Sequence, residues 1–293
     1  MADLEPDMKV AYVSCMVLPE PDHDEKPLID GLIAAGHDAE VVAWDDPAVD
    51  WAGFDVAVVR ATWNYIKHLD AFRAWIDRVD GLTTLLNPAA TMKWNLHKGY
   101  LRELRAGGVP IVPTVFFEAG GAENIFLLCA TRGWERIVIK PTVGAGSFGT
   151  RSFDLNAEEG HAAQRYFDEM VAQRDMMVQE FMESVEAVGE TSLVVIDGVL
   201  THGVEKRPRF DDEDEQVFLR EVISDEMRGM VERVISAAGK DALFARVDVM
   251  PDNGGQLVLG ELEMLEPSLF FPHCESAVGA MVRGVERLVL AGE

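Results

Sequence analysis

The sequence predicts an α/β protein in two parts: a small N-terminal unit on a mostly parallel sheet, then a larger mixed part. Three observations carry this. Over the first 88 residues short apolar runs alternate with helical stretches, the pattern of parallel α/β units. Further on, extended segments meet through turn residues, as at Asp197-Gly198, a strong two-residue hairpin signal. The length, 293 residues, is more than a single core usually serves, which favours two domains or one domain with a lid.

In the N-terminal unit, residues 9–15 are an apolar run read as a buried strand. Residues 19–24 form a loop in which Asp22 or Asp24 can cap a helix over 25–35, ended by Gly36. Strands follow at 39–43 and 54–59. Residues 68–79 place Leu69, Phe72, Ile76 and Val79 at helical spacing, and a strand at 82–86 stops at Asn87-Pro88. No GxGxxG fingerprint is present, so a dinucleotide is not expected. Ligands of such sheets gather beyond the carboxyl ends of the strands. Arg60 stands at one of these ends, with Trp63, Asn64 and Tyr65 just after it. The segment could grip a small carboxylate, or its aromatics could cover an edge while Arg60 pairs with a surface acid.

The second part begins with a helix predicted over 91–107, carrying Lys93 and Lys98. Residues 109–117 are extended, 122–131 helical, and a strand at 136–140 ends in Lys140 and Pro141. The run TVGAGSFGT at 142–150 holds three glycines. It could be a hairpin tip, or it could bring backbone N–H groups to phosphates. Lys140 just upstream tips the balance to phosphates, although no Walker A sequence is present. A helix at 157–174, a strand at 176–181 and a loop at 182–190 lead to a hairpin over 191–204, followed by Lys206. Residues 211–215, DDEDE, read as a solvated loop. Helices are expected at 225–238 and 275–290.

Residues 243–271 organise the rest. They read as two strands joined by Pro251, Asp252, Asn253, Gly254 and Gly255. Arg246 and Asp248 lie on the first, Glu261 and Glu263 on the second. Side chains two apart share a face. Pairing Met250 with Leu257 sets Asp248 opposite Leu259 and Arg246 opposite Glu261, with all four charges on one face. Three carboxylates beside one guanidinium are unfavourable to bury without a further cation. Their hard oxygens suit magnesium, which keeps waters and phosphate oxygens in its shell. The bland alternative is an exposed hairpin with solvated charges.

Net charge is 26 minus 51, or -25, which argues against nucleic acid and anionic membrane as partners. Cys15, Cys129 and Cys274 form no metal or redox spacing and fit a reducing cytosol. The acidic N-terminus lacks a signal-peptide core, and no apolar run approaches the ~18 residues of a membrane span. A cytoplasmic protein acting on small molecules is expected, with a homodimer left open.

The order of features is specific: a Lys-ended strand, a glycine-rich loop, a QEF strand, a hairpin followed by a lysine, then R-x-D and E-x-E strands. It resembles the ATP-grasp superfamily of carboxylate–amine ligases, in the branch near glutathione synthetase and D-alanine–D-alanine ligase. The resemblance covers roughly residues 90–290, and the N-terminal unit looks like the small domain that precedes the grasp. DHDEKPL, WDDP, RATWNY and ELEMLEPSLF are similar to the subgroup of the cycloserine-biosynthesis cyclo-ligase. Glu263 stands where the wider superfamily usually has Asn, as in that subgroup. The acidic run after Lys206 departs from the pattern.

The resemblance implies an N-terminal domain at 1–88 and an ATP-grasp domain at 89–293, with a lid at about 114–181. It implies ATP and magnesium. Lys98 and Lys140 would contact phosphates, and the loop with Gly144, Gly146, Ser147 and Gly149 would close over them. Gln179, Glu180, Phe181 and Met182 would hold adenine, and Glu186 the ribose. Lys206 would reach adenine or phosphate. Asp248, Glu261 and Glu263 would hold one or two magnesium ions, and Arg246 would stabilise the transferring phosphoryl group or the oxyanion after it. Arg60, Trp63, Asn64 and Tyr65 remain the substrate candidates. The expected reaction activates a small carboxylic acid or amino-acid derivative as an acyl phosphate for attack by an amine or internal nucleophile. Rivals are a small-molecule kinase of the same fold and an ATP-binding protein without turnover. Arg246, Lys206 and the three acids speak against the last, because a pure binder needs no groups aimed at developing charge.

Overall fold

The computed structural model describes residues 8–146, 148–207 and 216–291. Ser147, Pro208, Arg209 and the acidic run 211–215 lie outside the described residues. The N-terminal unit contains β1 (Lys9–Ser14), α1 (Glu25–Ala34), β2 (Asp38–Ala43), β3 (Val56–Val59), α2 (Leu69–Val79) and β4 (Thr84–Leu86). Its sheet runs β2-β1-β3-β4 with every pair parallel, as expected. Val10, Tyr12, Val56 and Val58 pack on one side with Leu28 and Leu32, while Ala11, Val13, Ala57 and Val59 pack on the other with Phe72 and Trp75. Burial on both faces explains why these strands read as continuous apolar runs.

The expected helix over 91–107 is two helices, α3 (Ala89–Asn95) and α4 (Tyr100–Ala106). The break has a cause. The Lys98 N–H leaves the helix to donate to the Thr142 carbonyl at 2.7 Å, and the Gly99 N–H donates to the His97 ring. Next come β5 (Thr114–Phe117), α5 (Ile125–Ala130), β6 (Arg136–Pro141), β7 (Arg151–Asp154), α6 (Ala157–Val171) and β8 (Met176–Glu180). Their antiparallel sheet, β5-β8-β6-β7, occupies the span expected for the lid. Then follow α7 (Ser184–Val188), where a loop was expected, β9 (Glu190–Ile196), β10 (Val199–Arg207), β11 (Gln216–Leu219), α8 (Asp225–Ala238), β12 (Phe244–Pro251), β13 (Leu257–Glu263) and α9 (Glu275–Ala291). They build the sheet β11-β10-β9-β12-β13. Strands β7 and β11 are four residues each and escape the sequence pattern.

Two joints connect these bodies. At the first, Asn87 lies fully buried against the large sheet. Its amide donates to the Phe244 and Met264 carbonyls and accepts from the Leu243 and Phe244 N–H groups. Asn95 does the same for Leu262 and Met264. Asp24 stands at the α1 N-cap position but makes no cap bond; its carboxylate accepts from the N–H groups of Leu269, Phe270 and Phe271. At the second joint, residues 110–112 run beside β13, with Val112 N–H donating to Leu259 and Leu259 N–H to Pro110, before the chain enters the lid. On the way out, Asn253 on the β12–β13 turn donates to the Phe181 carbonyl and accepts from Glu183 N–H.

Candidate active site

The charged hairpin forms, and its register corrects the expected one. Asp248 faces Glu261 and Arg246 faces Glu263, while Pro251 pairs with Leu257. Counting back from the turn alone would set Asp248 opposite Gly260 and turn both glutamates away. One extra residue in β13, Gly260, makes a bulge that shifts the pairing by one and returns all four charges to a common face. Glycine suits that position, since an added Cβ would stand 2.6 Å from Met250 Cε and 3.1 Å from Glu190 Oε1.

On that face, acids and bases alternate. Arg246 grips Asp248 in two-point fashion, Nε to Oδ1 at 2.9 Å and Nη2 to Oδ2 at 2.8 Å, and reaches Glu263 Oε1 at 2.6 Å. Lys206 on β10 lies 3.3 Å from Asp248 and 3.0 Å from Glu190. Lys98, from the break between α3 and α4, bonds Glu261 Oε1 at 2.7 Å and the Gly144 carbonyl at 3.0 Å. Lys140, at the end of a lid strand, approaches the other Glu261 oxygen at 3.9 Å.

The electrostatics follow from this order. Burial opposes ionisation of Asp248 and Glu261, but Arg246 with Lys206, and Lys98 with Lys140, outweigh it and hold both carboxyls below their usual range. Burial wins at Glu263 against Arg246, with Glu261 and Asp248 adding repulsion, and pushes it up to about 8. Glu266 is pushed up to about 7, again chiefly by burial. Burial pulls the Lys140 ammonium down. Opposite shifts in carboxyls two residues apart mark a site that lacks positive charge at one end.

Asp248, Glu261 and Glu263 therefore share a face, as expected, but their oxygens are separated by cationic side chains. Among the described residues no three acids stand together as a metal cluster. The donor chemistry still fits a hard divalent ion, because all three groups are carboxylates and Glu263 carries the raised pKa that a cation would relieve.

Other expected residues fall into place differently. Gly144, Gly146 and Gly149 lie in the loop after β6, with Gly146 at φ +55 and Gly149 at φ +64, and the loop leans on the N-terminal unit through Val143 and Ala145. Gln179 is buried within the lid and bonds Thr114 Oγ1, so its side chain is a strut there, not a hand for adenine. Glu180 bonds Asn253, Phe181 lies under the Arg136 guanidinium at 3.7 Å, and Met182 packs with Val112, Met250 and Val258. Glu186 is exposed and paired with Arg136 at 2.7 Å, outside the charged face. Arg60 is 2% exposed; it donates to the Pro267 carbonyl, lies 3.4 Å from Asp24 and covers the Phe244 ring. It braces the joint instead of opening toward a ligand. Asn64 is engaged by Trp44 and Asp45. Trp63 donates to the Glu266 carbonyl, and burial together with the nearby Glu266 carboxylate pushes the Tyr65 phenol up, so these two do reach the edge of the site.

Glu190 and Glu266 belong to the site and were not singled out from sequence. The signal for Glu190 was Gly189, whose φ of +77 starts the strand directly before it. Glu266 was visible only as a third acid in the run from 261.

A parallel-sheet unit, an antiparallel lid over a glycine-rich loop and a larger sheet bearing interleaved lysines, arginine and acids define the ATP-grasp class of ATP-dependent carboxylate–amine ligases. Comparison agrees with this. A family model described as the N-terminal domain of D-cycloserine synthetase DcsG matches residues 10–87. The cycloserine biosynthesis protein DcsG of Streptomyces lavendulae is 31% identical over 266 residues, covering 85% of this chain and 88% of that protein. The crystal structure of D-cycloserine synthetase DcsG has a TM-score of 0.87 at 27% identity, covering 96% of this chain and 99% of the other. D-alanyl-alanine synthetase A from Vibrio cholerae O1 biovar eltor shares the fold, with a TM-score of 0.69 at 11% identity and coverage of 98% and 100%. The ATP-grasp ligase PsnB, complexed with a precursor peptide and AMPPNP, shares it at 0.64, with 17% identity and coverage of 96% and 99%. The chain belongs to the DcsG family of ATP-grasp ligases. No helix among the described residues is long and apolar enough to cross a membrane.

Proposed function

We propose that this protein uses Mg·ATP to convert a small carboxylic acid or amino-acid derivative into an acyl phosphate, which an amine or internal nucleophile then attacks. The observation that carries this is the row of alternating cations and acids on one sheet face beneath the glycine-rich loop. A carboxylate is a poor acyl donor, and phosphorylation supplies a leaving group. Lys98 and Lys140 hold Glu261 now and would turn to the triphosphate when it arrives, which exchanges one anionic partner for another. Asp248, Glu261 and Glu263 would then hold magnesium, which would neutralise phosphate charge. Arg246 and Lys206 remain as fixed donors toward charge that develops at the transferring group and the later oxyanion. Glu190, facing the same row, is better placed than Glu186 to meet the nucleotide's sugar. Lid closure keeps water from the acyl phosphate.

The test is a phosphate-release screen with Mg·ATP over small acids, amino acids and amines, with product analysis. Release of ADP and phosphate together with an amide or ring product is expected. A stable phosphoester, or nucleotide binding with no turnover on any pair, would overturn the reading.

A further inference from the structure

Lys98 touches both the lid and the large sheet. Its N–H donates to the Thr142 carbonyl at the root of the glycine-rich loop, and its ammonium bonds the Gly144 carbonyl in that loop and Glu261 on β13. Its neighbour His97 makes a second crossing from the α3–α4 break to the lid, with Nε2 3.2 Å from Asp175 Oδ2. Asp175 stands just before β8 and gathers the lid's other strand ends. Its carbonyl accepts from Thr142 N–H at 3.0 Å and Thr142 Oγ1 at 3.2 Å, just after β6. Its second carboxylate oxygen accepts from Ala119 N–H at 2.8 Å, just after β5. The network assigns the ring proton of His97. Gly99 N–H donates to Nδ1 at 3.0 Å, so Nδ1 is the bare nitrogen and Nε2 carries the proton that points at Asp175. Gly99 leaves room for the ring, since an added Cβ would stand 2.7 Å from Nδ1. Thr142 is 1% exposed, so the frame that carries these bonds is packed.

Resting on the phosphate roles given above to Lys98 and the glycine-rich loop, we infer that His97 and Asp175 are a positioning pair. The pair fixes Lys98 against the root of that loop, so that ammonium and loop meet the triphosphate together. The contacts of the Lys98 ammonium with Gly144 and Glu261 are those a phosphate would replace. The Thr142 bond to its backbone and the His97–Asp175 bond beside it use no group that a phosphate would take, and they persist through that exchange. The place of the pair in the lid gives it leverage. The lid joins the body where β5 begins and β8 ends, near residues 110–112 and 181–183, whereas Asp175 and Ala119 lie at the opposite ends of those two strands. The two side chains are 36% and 43% exposed, so water can stand in for the bond when the lid swings away. A carboxylate is required at 175, not merely an acceptor. Two donors, Ala119 N–H and His97 Nε2–H, address its two oxygens, and an amide offers only one oxygen.

The experiment compares wild type with His97→Asn, Asp175→Asn, their double variant and Gly99→Ala. Affinity for Mg·ATP is measured by calorimetry, and affinity for AMP, which lacks the outer phosphates, by competition with ATP. Asparagine at 97 keeps an oxygen for the Gly99 N–H and is too short for Asp175. Asparagine at 175 has one oxygen for two donors. Gly99→Ala displaces the ring and leaves His97 and Asp175 chemically intact. Each single substitution should weaken Mg·ATP about three- to fivefold, the scale of a partly exposed charge-assisted bond, with AMP unchanged within about twofold. The double variant should bind Mg·ATP no more weakly than the weaker of His97→Asn and Asp175→Asn. Additive losses, an equal loss for AMP, or unchanged Mg·ATP affinity in Asp175→Asn would overturn the positioning pair and leave the ligase reading standing. No Mg·ATP binding by wild type would overturn both. Should Asp175→Asn fail to fold, unchanged Mg·ATP affinity in Gly99→Ala would overturn the pair.

Discussion

Asn87 and Asn253 perform one task at two joints, in opposite surroundings. Each uses a side-chain amide to complete the backbone bonding of another segment. Asn87 is fully buried and serves four backbone groups of the large sheet. Asn253 is exposed on a turn and touches the residues just after the lid's last strand, Phe181 and Glu183, at 3.0 and 3.1 Å. Water can replace the second set of bonds and cannot replace the first. We therefore expect the N-terminal unit and the large sheet to move as one body, and the lid to be the part that can open.

The largest expected effect comes from breaking the buried joint. Asn87→Ala strands several buried donors and acceptors, each worth about 1–3 kcal/mol. We expect a loss of roughly 3 kcal/mol or more in denaturant unfolding; a loss below about 1 kcal/mol would mean that the two units are separable. Next is the lid's own contact with the nucleotide. Lys140→Ala should weaken Mg·ATP by about 10-fold or more, for a charge-assisted bond of roughly 1.5–3 kcal/mol. Equal affinities by calorimetry would remove Lys140 from the phosphate site.

A third test uses pH. Glu263 and Glu266 have folded values of about 8 and about 7 against an ordinary 4.5. Between the ordinary and raised values the native state holds protons that the unfolded chain has released. Stability should therefore fall as pH rises from about 4.5 to 8. Asp248 and Glu261, shifted down, act only at lower pH, where their stabilisation is lost as pH falls. Tm should be lower at pH 8.5 than at pH 5.5, and Mg·ATP should narrow the gap; a Tm that rises over this range would contradict the charge arrangement. Smallest is Asn253→Ala, at about 1 kcal/mol or less in global stability. It should instead speed hydrogen exchange in residues 142–150 and 176–182 relative to residues 84–95. Equal exchange in both regions would erase the distinction between the joints.

Much of this was legible because it rests on local chemistry. Parallel strands declare themselves as unbroken apolar runs, and Asp197-Gly198 turns a hairpin wherever it stands. The common face of Arg246, Asp248, Glu261 and Glu263 followed from alternation. The exact register did not, because alternation cannot count through the bulge at Gly260. Glycine inside a strand was the available hint. What stayed hidden depends on distant partners. The helix over 91–107 breaks because Lys98 finds Thr142, and Arg60 turns inward because Pro267 and Asp24 wait there. Glu266 joins the site only because the chain after β13 is held by Trp63, two hundred residues earlier, which donates to its carbonyl.

The buried amide of Asn87 also bears on how the protein can be divided. The family match ends at residue 87, and the sequence changes character at Pro88. That border marks the family match but should not serve as a border for expression. A polypeptide started at residue 89 would leave the start of β12 and the residue just after β13 without their bonding partner, with apolar surface from Phe244, Leu269 and Met281 laid bare. Such a fragment should aggregate when made alone. Complementation of two separately produced halves should succeed only when the cut falls elsewhere, in exposed sequence such as the turn at 252–255.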